Sequence, residues 1–499
     1  MTKGISRRFM MSSALAGLAT SACAGAPSTS LRPQTRPGRT TTRNNAQARA
    51  LIEQSGLTGM VGFAVADVRS GQILEAYDEV RGLPPASVAK AVTALYALDT
   101  LGGGHRFSTQ LLATGPVEGG VVKGDLILAG GADPVLDTDD LAAMAARLEG
   151  SGVRAVEGRV RPWGGALPFV RAIDAGQPEH VGYNPAVSGL NLNFNRVHFG
   201  WSRSGSGYAL AMDARSGRYR PAVSVARVSL ADRRSPIYSY RDGGDHDSWS
   251  VARAALGNSG ARWLPVRHPE AYAAEVFAKL ASSRGVKASP GGEWNGAPKG
   301  RALVAHQSPP LTDVLREMLK YSTNLTAEAV GMSASAARGG RPRSLSASGK
   351  EMSRWASADL GMTDGRLVDH SGLGVTSRLS AGSMALAMVR AHEENGGAGQ
   401  LQPLMKPFQM RNSGGGVDAN HPVRVQAKTG TLYFVSALAG YATAPSGKDL
   451  AFAILTADEG RRRGLNPASG TRPEGSVTWN RRSKKLQQTL IERWARLYG

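Results

Sequence analysis

A serine and a lysine that share one helical turn are the most reactive pair that this sequence offers. Ser87 stands three residues before Lys90, and no other lysine in the chain has a serine at that distance upstream. Residues i and i+3 lie on one face of a helix, so the Lys90 amine would lie beside the Ser87 hydroxyl. A buried lysine loses proton affinity because its charged form is poorly solvated. Neutral Lys90 would then accept the Ser87 proton and make this serine a nucleophile.

A second motif, Ser322-Thr323-Asn324, is equally rare, because no other asparagine has a serine two residues upstream. The Ser322 hydroxyl is suited to relay a proton between Lys90 and a departing amine. The Asn324 amide is suited to hold a substrate amide and to orient Lys90. The same residue types also cap helices, and a cap at this position is compatible with both roles.

The third motif, Lys428-Thr429-Gly430, stands where a strand is predicted to begin. The edge of that strand, beside the serine, would offer backbone groups to an extended peptide. Lys428 and the hydroxyls of Thr429 and Thr431 can bind a terminal carboxylate, and Gly430 lets another backbone approach closely. The backbone N–H groups of Ser87 and Thr431 would form the oxyanion hole.

A sheet and a buried helix must hold these residues in place. The sequence predicts two strands at residues 61–67 and 73–77, joined by a turn, and a second such pair at 432–443 and 450–456. Apolar residues recur at helical spacing around and after Ser87, which predicts a buried helix there. The residues expected to be buried on it are Val88, Val92, Leu95 and Leu98.

The first two motifs are too far apart for a simple connection. The chain advances 232 positions from Lys90 to Ser322, which one helix and one loop cannot fill. Strand and turn signals in this stretch predict one or two mainly β accessory domains over residues 107–267. The catalytic domain is then discontinuous and consists of residues 46–106 and 268–499.

The first residues predict export from the cytoplasm. Residues 1–26 combine basic residues, a short apolar run and small residues, which is typical of a signal peptide, and residues 27–45 predict a flexible linker. The pair Arg7-Arg8 resembles a twin-arginine signal, with an ordinary Sec signal as the alternative. The only cysteine, Cys23, lies in a stretch with a weak resemblance to a lipoprotein processing site. We therefore expect a periplasmic or otherwise extracytoplasmic protein, and a lipid anchor or peripheral membrane association stays open.

The charge of the chain predicts an anionic partner. The formal net charge is +21 and the isoelectric point is about 10.4, which favours nucleic acid, anionic lipid or an acidic cell-wall polymer. Export argues against nucleic acid, as does the lack of a zinc-finger spacing, an aromatic RNA-binding signature or a long basic tract. Four basic residues of an amphipathic C-terminal helix are expected to form a solvated face, and they are Arg481, Arg482, Lys484 and Lys485.

The sequence predicts no metal site and no cofactor. The nine histidines show no His-Glu-x-x-His pattern, since His392-Glu393-Glu394 lacks the second histidine. Residues 242–247 carry three aspartates that could hold a cation, but a polar loop is the better interpretation of this stretch.

At its three motifs the chain resembles the D-alanyl-D-alanine carboxypeptidase/endopeptidase family, the type-4 low-molecular-mass penicillin-binding proteins. The long insertion between the first two motifs indicates this branch, because related β-lactamases have a short one. The resemblance covers roughly residues 46–499 and includes the stretches 124–134, 188–193 and 369–373. It implies an α+β fold with a penicillin-binding transpeptidase-like domain, an antiparallel sheet flanked by helices. That domain would be formed from both chain ends and would carry a large, mainly β insertion.

The resemblance also implies a reaction on the cell wall. Stem peptides of peptidoglycan that end in D-Ala-D-Ala would acylate Ser87 and release D-alanine, and the acyl-enzyme would then be hydrolysed. Some members of the family also cut peptide cross-links, and β-lactam antibiotics imitate the substrate and would trap Ser87. Two positions depart from the family pattern, which usually has Gly at His370 and Ser at Gly374. Both positions adjoin the site, so the departures bear on substrate preference.

Two other functions stay open at this point. A β-lactamase uses the same three motifs, and the insertion hides the spacing at which a deacylating glutamate of the common class A enzymes would be sought. A non-catalytic cell-wall-binding protein would be expected to lack a motif residue, and none is missing. The sequence does not choose between trimming of peptide ends and cleavage of cross-links, and it leaves the oligomeric state and the role of the insertion open.

Overall fold

The computed structural model describes residues 40–393, 401–412, 414–465 and 472–499. The predicted signal peptide, including Cys23, lies outside the described residues, as does the predicted linker up to residue 39. The first helix begins at Thr40, inside the predicted linker 27–45 and ahead of Ala46, where folded sequence was expected. The sequence did not mark this start, because the first turns of the helix are polar and carry no apolar periodicity.

Ten helices and eighteen strands are found in the described residues. The helices are, in chain order, α1 Thr40–Gln54, α2 Ala89–Leu101, α3 Thr138–Gly150, α4 Pro269–Ser283, α5 Leu311–Tyr321, α6 Asn324–Ala337, α7 Leu345–Asp359, α8 Ala381–Glu393, α9 Glu459–Arg463 and α10 Ser476–Tyr498. The strands are β1 Met60–Asp67, β2 Ile73–Tyr77, β3 Ser108–Ala113, β4 Val117–Glu118, β5 Val121–Val122, β6 Leu126–Ala129, β7 Ala155–Val156, β8 Val160–Trp163, β9 Arg196–Ser204, β10 Gly207–Asp213, β11 Ala226–Ala231, β12 Tyr238–Asp242, β13 Asp247–Ala252, β14 Ser259–Pro265, β15 Arg301–Gln307, β16 Arg424–Leu432, β17 Val435–Thr443 and β18 Asp449–Ala457.

The main sheet has five antiparallel strands in the order β16-β17-β18-β1-β2. It joins the two ends of the chain, because β1 pairs with β18 along its length, with Phe63 opposite Ile454. Successive side chains of a strand point to opposite faces of the sheet. Phe63 accordingly packs 5.6 Å from Trp494 of α10, measured between ring centroids, whereas Ala64 faces the helical core on the other side.

Helix α2, which follows Ser87, runs through that helical core. Residues Ala89–Leu98 are all buried, and the helix packs against α5, α6 and α7. The four apolar residues that were expected to be buried, from Val88 to Leu98, are at most 8% exposed. Because α2 is enclosed on nearly all sides, the backbone that carries the reactive lysine is held rigidly.

The insertion has a hydrophobic core of its own. Its four-stranded sheet, in the order β15-β3-β6-β8, and three small sheets, β10-β9-β14, β11-β13-β12 and β4-β5-β7, accompany helices α3 and α4. Strand β15 pairs with β3, and α4 packs against α3, so both belong to the core of the insertion. This packing moves the C-terminal border of the insertion from the predicted residue 267 to Gln307. A helical pattern shows that α4 has a buried face, but it does not show which core that face joins.

Within the described part of the chain, no helix has the length and apolar character needed to cross a bilayer. The same residues contain no group of three or more His, Cys, Asp or Glu side chains placed to hold a metal ion. The acidic stretch from Asp242 to Asp247 connects β12 to β13, where Asp242 Oδ1 accepts the Gly244 N–H at 2.8 Å. This stretch is therefore a polar hairpin connection.

Candidate active site

Ser87 lies in a 3-10 turn, Ala86–Val88, directly before α2. The turn is strained, since Ala86 has a φ of 45°, which residues with a side chain seldom adopt. Two glycines allow the neighbouring backbone to close around it. A Cβ at Gly430 of β16 would lie 2.8 Å from the Pro85 oxygen, and one at Gly372 would lie 1.9 Å from the Ala86 oxygen. The half-buried Ser87 is thus placed between a strand and a loop that both need glycine.

The Lys90 amine lies at the centre of the site and is fully buried. Its Nζ donates to Ser87 Oγ at 3.1 Å, to Asn324 Oδ1 at 2.7 Å and to the Ser371 backbone oxygen at 2.8 Å. Loss of solvation lowers the pKa of Lys90 to about 8, although the nearby carboxyl groups of Glu328 and Asp369 act in the opposite direction. The amine can therefore exchange a proton with Ser87 near neutral pH.

Ser322 ends helix α5 in the left-handed conformation, with a φ of 60°. Its Oγ accepts a hydrogen bond from Lys428 Nζ at 3.0 Å, so Ser322 is paired with the lysine of the third motif rather than with Lys90. Lys428 is 2% exposed. Burial, followed by the charges of Lys90 and Lys406, lowers the pKa of Lys428 well below its usual value.

Asn324 begins helix α6 and connects the site to the insertion. Its Oδ1 accepts from Lys90, as already described, and its Nδ2 donates to the Tyr183 backbone oxygen at 2.9 Å. Tyr183 belongs to the insertion, so the insertion contacts the reactive centre directly. No sequence pattern predicted this contact, because the two residues are 141 positions apart.

Strand β16 presents the third motif at the edge of the main sheet. The segment around Lys406 covers this edge as far as Ala427, whose N–H donates to the Lys406 oxygen at 3.1 Å. Beyond Ala427, Thr429 and Thr431 are exposed in the cleft beside Ser87. They lie two residues apart in a strand, so their side chains share one face. The structure thus brings together all eight residues that were predicted to form the site.

Two buried carboxyl groups lie behind Lys90, and the sequence did not predict them. Glu328 of α6 accepts the backbone N–H groups of His370 at 3.0 Å and Ser371 at 2.9 Å. Asp369 accepts the N–H groups of Gly372 at 2.8 Å and Gly374 at 2.5 Å. Burial, with the Asp369 charge as the next cause, raises the pKa of Glu328 to about 8, and burial likewise raises the pKa of Asp369. These groups fix the loop whose Ser371 oxygen binds Lys90.

The side chain of His370 points away from the cleft. It is fully buried, and its ring lies 2.7 Å from Ser348 Oγ and 3.3 Å from Met352 Sδ. Burial lowers the pKa of this histidine to about 3, so the ring is neutral. Gly331 makes room for it, because a Cβ there would lie 2.1 Å from His370 Nδ1. The imidazole is therefore part of the packing behind Lys90, and it is too deeply buried to contact a substrate.

The cleft in front of Ser87 has a volume of about 1830 Å³. The catalytic part of the chain lines it with Ser322, Asn324 and the exposed threonines of β16, and the insertion contributes His180, Tyr183 and Arg262. A serine with a buried amine beside it, an exposed strand edge and a large cleft are suited to acyl transfer from an extended peptide.

Known proteins resemble this chain over most of its length. The model of the D-Ala-D-Ala carboxypeptidase 3 (S13) family matches residues 44–470. The D-alanyl-D-alanine carboxypeptidase of Actinomadura sp. (strain R39) is 29% identical over 445 residues, which are 81% of this chain and 79% of that protein. D-alanyl-D-alanine carboxypeptidase DacB of Haemophilus influenzae is 24% identical over 420 residues, covering 79% of this chain and 84% of the relative.

A solved structure shares the fold. Penicillin-binding protein 4 of Haemophilus influenzae is 19% identical and matches with a TM-score of 0.70 over 89% of this chain and 99% of the other. The same protein complexed with a β-lactam gives a TM-score of 0.68. This likeness confirms the predicted α+β fold with a penicillin-binding transpeptidase-like domain.

Proposed function

Because the chain belongs to the D-Ala-D-Ala carboxypeptidase 3 (S13) family, we propose that it hydrolyses D-Ala-D-Ala stem peptides of peptidoglycan with Ser87 as the nucleophile. The family and the enzyme class that the three motifs predicted, a serine-type D-alanyl-D-alanine carboxypeptidase, are thereby confirmed. The observation that carries the proposed role of Ser87 is the fully buried Lys90, whose Nζ lies 3.1 Å from Ser87 Oγ.

Acylation begins when the neutral Lys90 amine takes the Ser87 proton. Ser87 Oγ then bonds to the carbonyl carbon of the penultimate D-alanine, and the N–H groups of Ser87 and Thr431 stabilise the charge on its oxygen. As the peptide C–N bond breaks, the Ser322 hydroxyl gives its proton to the leaving amine. Ser322 regains a proton from Lys428, which donates to its Oγ, and Lys90 passes the proton taken from Ser87 on to Lys428, so that one proton leaves with D-alanine.

Deacylation reverses these proton movements with water as the nucleophile. Lys90 accepts a proton from the attacking water while the water oxygen bonds to the acyl carbon. The ester bond to Ser87 then breaks, and Ser87 Oγ regains a proton from Lys90. The shortened peptide leaves with a new terminal carboxylate.

The substrate would lie along the open edge of β16. Lys428 and the hydroxyls of Thr429 and Thr431 would bind the terminal carboxylate of the substrate, and Asn324 would hold its amide. Support comes from the exposure of both threonines in the cleft. Gly430 lets the strand approach the nucleophile turn closely enough for this arrangement.

Cleavage of cross-links is the second activity that we propose for the same site. The cleft of about 1830 Å³ is larger than the roughly 300–1,000 Å³ of an ordinary small-molecule site. A free D-Ala-D-Ala end leaves much of this space empty, whereas a cross-linked pair of stem peptides fills more of it. The size of the cleft therefore favours endopeptidase activity beside carboxypeptidase activity.

We also propose that the enzyme acts outside the cytoplasm, where peptidoglycan lies, after export by residues 1–26. β-Lactams would inhibit it by acylating Ser87, which the β-lactam complex of the Haemophilus influenzae protein supports. The mass of the mature N-terminal peptide would decide whether Cys23 carries a lipid and anchors the protein to a membrane.

Incubation with benzylpenicillin, followed by intact-mass measurement beside Ser87→Ala, tests the proposal. We expect a stable penicilloyl adduct in the parent protein and none in the variant. Drug consumption without an adduct would instead show turnover of the β-lactamase kind. An intact drug and an unmodified protein would contradict acylation of Ser87 and favour a wall-binding protein without catalysis.

A further inference from the structure

The cleft that holds Ser87 continues into a groove along the start of helix α10. Asn480 of this helix donates from Nδ2 to the Leu432 oxygen at 3.2 Å, so the helix lies against the end of β16. Lys484 stands one helical turn beyond Asn480, about 6 Å further along. We define the cationic groove by six residues that line this cleft, and they are Lys406, Arg411, Arg472, Arg481, Lys484 and Lys485.

Basic residues outnumber acidic ones among the residues that line the cleft. Ten of the residues that line it are lysine or arginine, and Glu492 is the one acidic residue among them. Glu492 already accepts from Gln488 Nε2 at 2.7 Å and lies 3.5 Å from His421 Nε2. Three of the four basic residues of α10 that were expected to form a solvated face are exposed, and they also line this cleft. They are Arg481, Lys484 and Lys485.

This arrangement is unfavourable for the protein alone. Arg481 is three residues before Lys484 and four before Lys485, and like charges at these spacings destabilise a helix. Some basic residues of other helices do have acidic partners, such as Arg316 with Asp313 in α5 and Lys279 with Glu275 in α4. Among the described residues, no ion pair includes Arg481, Lys484 or Lys485. A bound anion would supply the missing partner.

We propose that the cationic groove binds carboxylates of a second peptide chain in the cross-linked wall polymer, so that the preferred substrate is polymeric and acidic. This inference rests on the proposed function. The groove is continuous with the edge of β16, so a polymeric substrate that lies along this edge can extend into the groove. Uncut stem peptides carry free carboxylates, and lysine and arginine bind carboxylates through charge-assisted hydrogen bonds.

The test compares two triple variants on three substrates. Arg481→Gln/Lys484→Gln/Lys485→Gln removes charge from the groove. Lys287→Gln/Lys299→Gln/Arg301→Gln removes the same charge from exposed positions of the insertion that do not line the cleft. The substrates are a short D-Ala-D-Ala peptide, cross-linked stem-peptide dimers with free carboxylates, and the same dimers with those carboxylates amidated.

For the groove variant at low salt, we expect the ratio of kcat/KM on acidic dimers to kcat/KM on the short peptide to fall about tenfold, as three partly exposed charge contacts would give. The ratio on amidated dimers should not change, and the control variant should keep both ratios.

An unchanged ratio on acidic dimers, or an equal fall on amidated ones, would overturn the proposal. Inhibition of the parent by a poly(glycerol phosphate) chain, with no preference for free carboxylates, would assign the groove to a phosphate polymer and overturn it as well.

Failure of the proposed function has a different signature. The parent would then cut none of the three substrates, and benzylpenicillin would not acylate Ser87. In that case, sedimentation of the proteins with insoluble wall material at low and high salt tests whether the cationic groove binds the wall polymer through its charge. Loss of salt-sensitive binding in the groove variant alone supports the proposal, and equal binding by both variants overturns it.

Discussion

At the scale of single residues, Lys90 is expected to set the pH dependence of acylation. Burial lowers the pKa of this amine to about 8, so it is mostly protonated below that pH and neutral above it. Only the neutral amine accepts the Ser87 proton, so the acylation rate should rise about tenfold per pH unit below pH 8 and then level off. Rapid-mixing measurements with benzylpenicillin across this range give the profile. A rate that falls as the pH rises toward 8 would contradict the role of Lys90 as the base.

Glu328 supports Lys90 through charge and through the backbone of Ser371. Burial raises the pKa of Glu328 to about 8, so its charge acts on Lys90 near pH 8, where it raises the pKa of the amine. Glu328→Gln should therefore shift the part of the acylation profile near pH 8 to lower pH. The amide also points an N–H group at a backbone N–H donor, so the maximal rate should fall about tenfold or more. The acylation profile of the variant measures both effects.

The matched control for this change is Glu317→Gln, which alters an exposed glutamate of α5. This variant should change neither the acid limb of the acylation profile nor the maximal acylation rate. If the limb of Glu328→Gln moves to higher pH, the buried carboxyl group does not act on Lys90 as we infer.

The pair of Ser87 and Lys90 could be predicted because its contact is local in sequence. The Ser371 oxygen that also binds Lys90 is 281 positions away from it, and no pattern in a single sequence joins the two. Glu328 did leave a signal. It is the only charged residue of α6 and stands four residues after Asn324, on the same helix face.

At the scale of secondary-structure elements, helix α6 and the loop after α7 meet where Gly331 faces His370. A methyl group at residue 331 would overlap the imidazole, and removal of the imidazole would leave a cavity. Gly331→Ala and His370→Gly should each lower the free energy of unfolding by about 1–3 kcal/mol. The double variant should lose less than the sum, with a coupling of about 1 kcal/mol or more. Urea unfolding of the four proteins measures this cycle, and additive losses would show that the two positions are not in contact.

Helix α10 shows what hydrophobic periodicity can and cannot predict about the surroundings of a helix. The apolar face that the sequence predicted does pack on the main sheet, where Trp494 is 1% exposed. The residues of the basic face are exposed, as expected, and three of them also border the cleft, which the sequence did not predict. Periodicity identifies the faces of a helix, but the element opposite each face depends on tertiary packing. The same limit explains why the border of the insertion was predicted too early. Periodicity shows that α4 has a buried face, but it does not show that this face packs into the core of the insertion.

At the scale of the whole molecule, a buried ion pair joins the two ends of the chain. Glu75 of β2 is 2% exposed and accepts from Arg493 Nε at 3.3 Å and from Trp494 Nε1 at 3.0 Å. Glu75→Gln would leave a buried guanidinium without its counter-charge, at a cost of about 3–5 kcal/mol. We expect the thermal unfolding midpoint to fall by about 10 °C.

The comparison for this change is Asp313→Asn, which breaks an exposed ion pair with Arg316. Exposed pairs add little stability, so its midpoint should stay close to that of the parent. Scanning calorimetry of the three proteins measures both shifts. Equal midpoints for the two variants would mean that the buried pair does not hold the chain ends together.

The sheet that closes through both chain ends also fixes when, during biosynthesis, the site comes into being. Ser87 and β1 leave the ribosome early, but the partners that complete their sheet follow much later, and Glu75 and Arg493 are 418 positions apart. Pairing over such separations is slow, and an unpaired central strand exposes its edge in the meantime. A nascent chain therefore carries Ser87 long before it carries the strands that complete the sheet and the third motif beside this serine.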